Sequence, residues 1–412
     1  DDVIVKEANG FYGWGDTVAP FTSGETRLWS QDNWGEDLIL NVRDDSVYYW
    51  DASLGLSARA TALSSQTGAS GAPTTARQVL VSDTDRHVIC LGANTIGTTA
   101  QDLLLVRWSD QENAVDWTPT VTNTAGSMRL SSGSEIITGT QTRQETLIWT
   151  DSSLYSMRFV GPPFTFSFAL LANNVSVLSP NLVVPVGDRV FWMDTENFFV
   201  YAGQIQTIPC TILRYVFDDI NLEEKLKFFG GSNRMFDEIF WFYCSSSSDD
   251  IDRYVKFNHA EGTWDIGSLS RTAWVDFGLF SKPRAAGTIN SSNFIYDHES
   301  GTTNDGSAMT SYIESSVFDI GDGNQFAFIK KLIPDIDISS AAGNGVDYIL
   351  KTRNYPGESL TTNSTSSVTS TTKQADVRAR SRSAVLRIQS SADDISWTLG
   401  DVRMEIQPDG RR

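Results

Sequence analysis

Three histidines, His87, His259 and His298, carry the widest range of chemistry in this chain. An imidazole can act as general base, activate a nucleophile or bind a metal near neutral pH. Their spacing matches no HExxH-type ligand pair, and no GxSxG elbow offers a serine for one of them to activate. His87, in "DRHVICLG" (85–92), lies beside a strand-like run and reads as a structural or surface residue. No GxxxxGK[ST] or GxGxxG loop is present to cradle phosphates. Cys90, Cys210 and Cys244 sit in apolar or strand-like runs without a CxxC pair. They are expected to be buried free thiols made in a reducing compartment.

Carboxylates are plentiful, with 51 Asp and Glu, so counting alone leaves a glycosidase pair open. A sialidase-type Asp-box reads SxDxGxTW. The nearest phrase, "HAEGTWDIG" (259–267), keeps Gly262-Thr263-Trp264 but lacks the Ser and Asp, and reads as a hairpin end with a packed indole. Trp264-Asp265 imitates a WD dipeptide without its upstream Gly-His. "SSSSDDID" (245–252) and "DIGDG" (319–323) resemble loose oxygen-ligand loops but miss the EF-hand spacing, so hairpin turns are expected. On a strand, Arg378, Arg380 and Arg382 of "RARSRSAVLR" (378–387) share one side, with Arg387 and Arg403 further on. A solvated edge that discourages strand pairing outweighs a phosphate- or partner-binding stripe. The residues therefore nominate no catalytic, cofactor-binding or metal-binding side chain, and the expectation is a protein that is not an enzyme.

The net charge of −19, from 32 Lys and Arg against 51 Asp and Glu, disfavours gripping nucleic acid. It is compatible with letting DNA pass without adhering. No run approaches the ~18 apolar residues needed to cross a bilayer. Residue 1 shows neither an initiator Met nor a signal-peptide pattern, so a mature or trimmed piece of a longer product is expected.

The elements that would position any site are strands. Aromatics make up 11% of the chain, and Val-, Ile-, Phe-, Tyr-, Trp- and Thr-rich runs end at Gly, Asn, Asp and Ser. "LIWTDSSLYSMRFV" (147–160) is echoed by "VFWMDTENFFVYAG" (190–203), with Trp149-Thr150-Asp151 matching Trp192-Met193-Asp194. "LILNVRDDSVYYWD" (38–51), "LLLVRWSDQENAVDWT" (103–118), "IFWFYCSSSSDDIDRYVKFN" (239–258) and, more faintly, "NFIYDHESG" (293–301) share the shape. Each reads as a β-hairpin, an apolar strand and an aromatic strand joined by a polar turn. A lone hairpin cannot bury its apolar faces. Recurrence at roughly 40–50 residues predicts four-stranded blades that cover one another. A pair of β-sandwiches is the alternative architecture. "SSQTGASGAPTT" (64–75) is expected to be an inserted loop. "RYVFDDINLEEKLKFFGG" (214–231) predicts one short helix, capped at Asp218 or Asp219 and stopped at Gly230-Gly231.

The vocabulary changes after about residue 308. A Ser/Thr tract, "TTNSTSSVTSTT" (361–372), predicts a flexible loop tip. Residues 373–412 hold eight Lys or Arg against six Asp or Glu. The fold class is all-β: a β-propeller-like repeat domain over 1–307, then a β-sandwich or barrel-like domain over 308–412.

Several stretches resemble tail nozzle or tail tube virion proteins of short-tailed bacteriophages. They are "RWSDQENAVDWTPT" (107–120), "RLSSGSEIITGTQTRQETLIWTDSSLYSMRFVGPPFTF" (129–166), "RYVFDDIN" (214–221) and "RTAWVD" (271–276). "YIESSVFDIGDG" (312–323), "RNYPG" (353–357) and the ending "LGDVRMEIQPDGRR" continue the likeness. The resemblance implies a ring-forming, commonly six-fold subunit below the portal and adaptor. That ring would be part of the genome-ejection conduit and a platform for tail fibres or a needle. It implies a place in the virion tail, assembly in the host bacterial cytoplasm, and transient passage of double-stranded DNA without specific binding. It transfers no site residues and no cofactor. Acidic turn residues, Asp44, Asp45, Asp249 and Asp250 among them, are expected to line or flank the lumen. The competing reading is a receptor-binding or carbohydrate-active propeller of the tail-spike kind, with Asp/Glu, Arg and Trp converging at the propeller mouth. A WD-type scaffold ranks below both.

Overall fold

The computed structural model describes residues 6–7, 10–11, 26–289, 292–304, 306–319 and 323–411. The chain divides into two units, one ending at His298 and the other running from Glu299 to Arg412. Both are built from small antiparallel sheets. Among the described residues no helix is long and apolar enough to cross a membrane.

The first unit is propeller-like. Among the described residues it holds six meandering sheets in chain order, five of four strands and a sixth of three. Their first strands are Trp29–Trp34, Gln78–Val81, Ile136–Gln141, Val183–Val186, Phe229–Asn233 and Ala273–Val275. Their second strands are Asp37–Val42, Val88–Leu91, Thr146–Thr150, Arg189–Met193, Glu238–Tyr243 and Arg284–Ile289.

These second strands explain the repeated phrase. Side chains alternate across a strand, so a continuous apolar run means that both faces are covered. Val88 and Cys90 pack toward the first sheet with Ile39, Val47 and Val79. Their neighbours Ile89 and Leu91 pack the opposite way, with Ile136, Ile148 and Tyr155 of the third sheet. In the third sheet Ile148 belongs to that same cluster, while Leu147 and Trp149 join Trp192 and Trp241 of the fourth and fifth sheets. Trp149, Trp192 and Trp241 each occupy the fourth position of their second strand and are fully buried. The rings of Trp149 and Trp192 meet edge-on at 5.3 Å. The indole N–H of Trp192 donates to the Ser176 carbonyl (3.0 Å), and that of Trp241 to the Leu182 carbonyl (3.1 Å), tying both to the linker between sheets.

The hairpins expected at 38–51, 147–160, 190–203 and 239–258 are second and third strands joined by polar turns. Two others are not hairpins. Leu105–Trp108 is the third strand of the second sheet, and its next partner is Gly126–Arg129. Side chains of Asp110, Asn113 and Asp116 bond the amides of Thr124, Val115 and Thr118, which diverts the backbone from a ladder. Trp117 is thereby driven into the core between the first two sheets. Phe294 lies in Ser292–Asp297, which pairs back to Arg284–Ile289, and the polar residues after it form no return strand.

The expected single helix at 214–231 is two short turns, an α-helix at Leu213–Phe217 and a 3-10 helix at Leu222–Lys227. The chain is extended between them because Ile220 pairs with Ser245 and the Asn221 amide donates to the Cys244 carbonyl (2.9 Å). Asn221, not Asp218 or Asp219, caps the second turn through Glu223 N (3.1 Å). Gly230 and Gly231 belong to a strand, Phe229–Asn233. Residues 64–75 are the expected loop, entered by a 3-10 turn at Leu63–Ser65.

The second unit is sandwich-like. One sheet orders Ser311–Glu314, Ser383–Ser390, Val346–Arg353 and Thr361–Val368, with Phe318–Asp319 also on Ser383–Ser390. A second orders Ala375–Ser381, Ala327–Ile333 and Arg403–Pro408. Ile336–Ser340 pairs with Ile395–Leu399. Val346, Tyr348 and Leu350 from one sheet share a core with Ile329, Val377 and Ala379 from the other. Only the end of the Ser/Thr tract is a loop tip: Thr361–Val368 is a paired edge strand, and residues 369–372 turn, with the Thr372 amide donating to the Thr369 carbonyl (3.0 Å). β-branched Thr favours extended backbone, and fully buried Val368 anchors the end of the strand.

A buried carboxylate joins the third and fourth sheets. Glu145 accepts from the Tyr201 hydroxyl (2.5 Å), Arg158 Nε (2.9 Å) and the Ser156 hydroxyl. Burial raises the Glu145 carboxyl, but the bonds from Arg158, Ser156 and Tyr201 outweigh it and hold the group below its ordinary range. A depressed folded value gives stability that is fully present above the unfolded value, about 4.3, and lost as pH falls through the folded one. Glu145→Gln should cost ~1–3 kcal/mol at about pH 7, with the gap narrowing below about pH 4. Denaturant titrations of both proteins across this range check it, and a gap independent of pH would contradict it.

Candidate functional site

The first strands of all six sheets converge on one cavity of about 440 Å³. Two glycines permit the approach. A Cβ on Gly139 would stand 2.6 Å from Leu91 Cδ1, and one on Gly230 would stand 2.3 Å from Val184 Cγ2. The inner strands are laced across sheets by side chains. Val79 N and Val81 N donate to Ser30 Oγ (3.0 Å) and Asp32 Oδ2 (2.8 Å). Gln78 accepts from Gly139 N (2.7 Å) and Thr138 Oγ1 (3.0 Å), and its amide donates to the Gly139 carbonyl (2.8 Å).

Two arginines stand on the cavity wall and play different parts. Arg77 joins three sheets. Its Nε donates to Asp44 Oδ1 (2.9 Å), and its Nη1 donates to Glu135 Oε2 (2.6 Å) and the Ile136 carbonyl (2.9 Å). Gln101 also donates to Asp44 Oδ1 (3.0 Å). Among the described residues the Arg43 side chain makes one hydrogen bond, from Nη1 to the Ile137 carbonyl (2.9 Å), and its ion pair with Asp44 is stretched to 4.0 Å. Burial, and then the neighbouring Arg77 charge, lower the Arg43 guanidinium to about 10, so it remains charged at neutral pH. Apolar wall comes from Leu28, Leu80, Val183, Phe229, Trp29 and Trp274.

Among the described residues no Asp or Glu lines the cavity, so paired-carboxylate hydrolysis has no footing there. It is also far too small to pass a duplex, whose major groove alone is about 12 Å wide.

The residues singled out by type lie apart. His87 is fully buried, between Asp85 Oδ2 (2.8 Å) and Thr124 Oγ1 (3.0 Å), with Thr124 donating onward to Asp110 Oδ1 (2.7 Å). His259 stacks on Phe191 at 5.6 Å. His298 accepts from Arg271 Nε (3.0 Å), and burial with the Arg271 charge lowers it to about 4. The three cysteines are free thiols. Burial pushes Cys90 and Cys244 up to about 12 and raises Cys210. None is poised as a thiolate. Among the described residues no cluster of three His, Cys, Asp or Glu could hold a metal ion.

Residues 245–252 form the turn of the fifth sheet, closed by Ser245 Oγ to Asp252 Oδ2 (2.8 Å). Residues 320–322 of the "DIGDG" phrase lie outside the described residues. Trp264 is a packed indole, 4.6 Å from Phe257 and donating to the Pro209 carbonyl (2.8 Å). Arg378 and Arg380 are exposed on the edge strand Ala375–Ser381. The Arg380 guanidinium lies 4.0 Å from the Phe326 ring centre and pairs with Asp409. Asp44, Asp249 and Asp250 are all exposed; Asp44 serves Arg77 and Gln101, and Asp250 pairs with Lys227 (3.3 Å).

Sequence reasoning missed Arg43, Arg77, Gln78 and Glu145. The only local signal for Arg77-Gln78 is a polar pair opening an alternating strand, "RQVLV" (77–81).

No protein-family model matches the chain. No curated protein matches it either. Among solved structures it is similar to the computationally designed Ika8 protein, at TM-score 0.41 and 10% identity over 65% of this chain and 70% of that one. It is similar to Kluyveromyces lactis Hsv2p at TM-score 0.36 and 11% identity, over 64% and 71% of the two chains. A fungal alcohol oxidase of the AA5 family, in complex with copper, gives TM-score 0.39 and 10% identity over 85% and 76%. Likenesses this distant carry no argument about activity.

Arg77→Met should leave Asp44 and Glu135 without their shared cation and cost ~1–3 kcal/mol. Arg43→Met should cost less, because it breaks one bond to a carbonyl. Chemical denaturation of both variants checks the order, and equal losses would contradict it.

Proposed function

We propose that the chain is a structural subunit of a bacteriophage tail, a ring-forming nozzle or tube protein. It forms part of the genome-ejection conduit and carries other tail proteins. The observation that carries this reading is the series of phrases resembling such virion proteins, at residues 107–120, 129–166, 214–221, 271–276, 312–323, 353–357 and 399–412, which falls in both units.

The geometry supports it. The polar constellations found are joints: Arg77 ties three sheets, Glu145 ties two, and the His87 network is sealed in the core. A wall that works by shape needs such joints. The cavity is too narrow for a duplex, so DNA would pass through a lumen enclosed by several subunits.

 The charge supports it as well. A chain of net charge −19 repels phosphate, and Asp249 and Asp250 project from an exposed turn. The proposed partners are further copies of the chain, six to a ring, with adaptor or portal-side proteins above and fibres or a needle attached. Its proposed place is the virion tail, assembled in the host cytoplasm. The carbohydrate-active alternative gains nothing from a cavity that no Asp or Glu lines among the described residues.

Native mass spectrometry and electron microscopy of the purified chain test the reading. Six-fold rings are expected, and monomers that bind and cleave glycan would contradict it. In assembled particles, the double substitution Asp249→Lys and Asp250→Lys should slow genome ejection without unfolding the subunit. Ejection at the wild-type rate would remove these turns from the lumen.

A further inference from the structure

The two cavity arginines divide the local carboxylates unequally. Arg77 takes both Asp44 and Glu135. Asp44 Oδ1 is further occupied by Gln101, and Asp44 Oδ2 stands 4.0 Å from Arg43 Nε. Arg43 is left as a largely buried cation, its side chain 13% exposed, with one carbonyl bond and a carboxylate no nearer than 4.0 Å among the described residues. A guanidinium presents five N–H donors in a planar fork that matches a carboxylate. Burying such a charge with so few partners is costly, and an anion in the cavity would relieve it.

The surroundings are those of a small-ligand site. A volume of about 440 Å³ falls within the roughly 300–1,000 Å³ usual for such pockets. Leu80, Val183, Phe229 and Trp274 supply apolar wall, and Asn181 adds a polar group on the fourth sheet's side. Among the described residues the lining holds Arg and no Asp or Glu, which disfavours cations and favours a single negative charge.

We infer that the central cavity of the first unit binds a benzoate-sized organic carboxylate, its carboxylate on Arg43 and its apolar body against the walls. This site is independent of ring assembly and goes beyond the structural role proposed above.

Calorimetric titration of the full chain with benzoate, and with benzamide as a neutral isostere, tests it. Benzoate should bind saturably, and benzamide at least about tenfold more weakly. Arg43→Gln should weaken benzoate at least about tenfold and leave benzamide unchanged. Equal affinity of the wild-type chain for the two probes, or no saturable benzoate binding, would overturn the site without recourse to any variant. Undiminished benzoate binding by a folded Arg43→Gln protein would overturn it too.

Discussion

The first unit depends on strands that need cover on both faces. Val88 and Cys90 face one neighbouring sheet, and Ile89 and Leu91 face the other. The third sheet repeats the arrangement with Leu147 and Trp149 against Ile148. Removing one sheet would expose apolar surface on two others. Burial is worth roughly 25 cal/mol per Å² of apolar area, so no isolated sheet of this kind is stable in water. The repetition of the aromatic phrase is the sequence record of that mutual dependence.

Polar side chains then fix how the sheets meet. Apolar packing is non-directional, whereas the bonds of Arg77, Gln78 and Glu145 specify which strand lies against which. The same lacing leaves one cation, Arg43, underused at the centre. The cavity is thus a product of six strands converging on an axis, and its charge follows from how the few nearby carboxylates are shared.

What could be read in advance divides along physical lines. The second and third strands at 38–51, 147–160, 190–203 and 239–258 were legible because a continuous apolar run, a short polar turn and an aromatic return are all local. The second sheet was not, since Asp110, Asn113 and Asp116 capture backbone amides where a return strand was expected. The helix at 214–231 yielded to a tertiary pairing, Ile220 with Ser245, that no local propensity announces. Composition marks the turn at 369–372 of the Ser/Thr tract but not the edge strand before it, which β-branched threonines and the neighbouring strand Val346–Arg353 make. Arg43 and Arg77 were invisible for a different reason. Their partners, Ile137 and Glu135, lie on another sheet far along the chain.

Hydrogen exchange on the full chain, followed by mass spectrometry in mild denaturant, tests the mutual dependence most directly. The account predicts that Thr146–Thr150, Arg189–Met193 and Glu238–Tyr243 lose protection together, as one cooperative unit. Exchange of the fourth sheet while the third and fifth stay closed would contradict it.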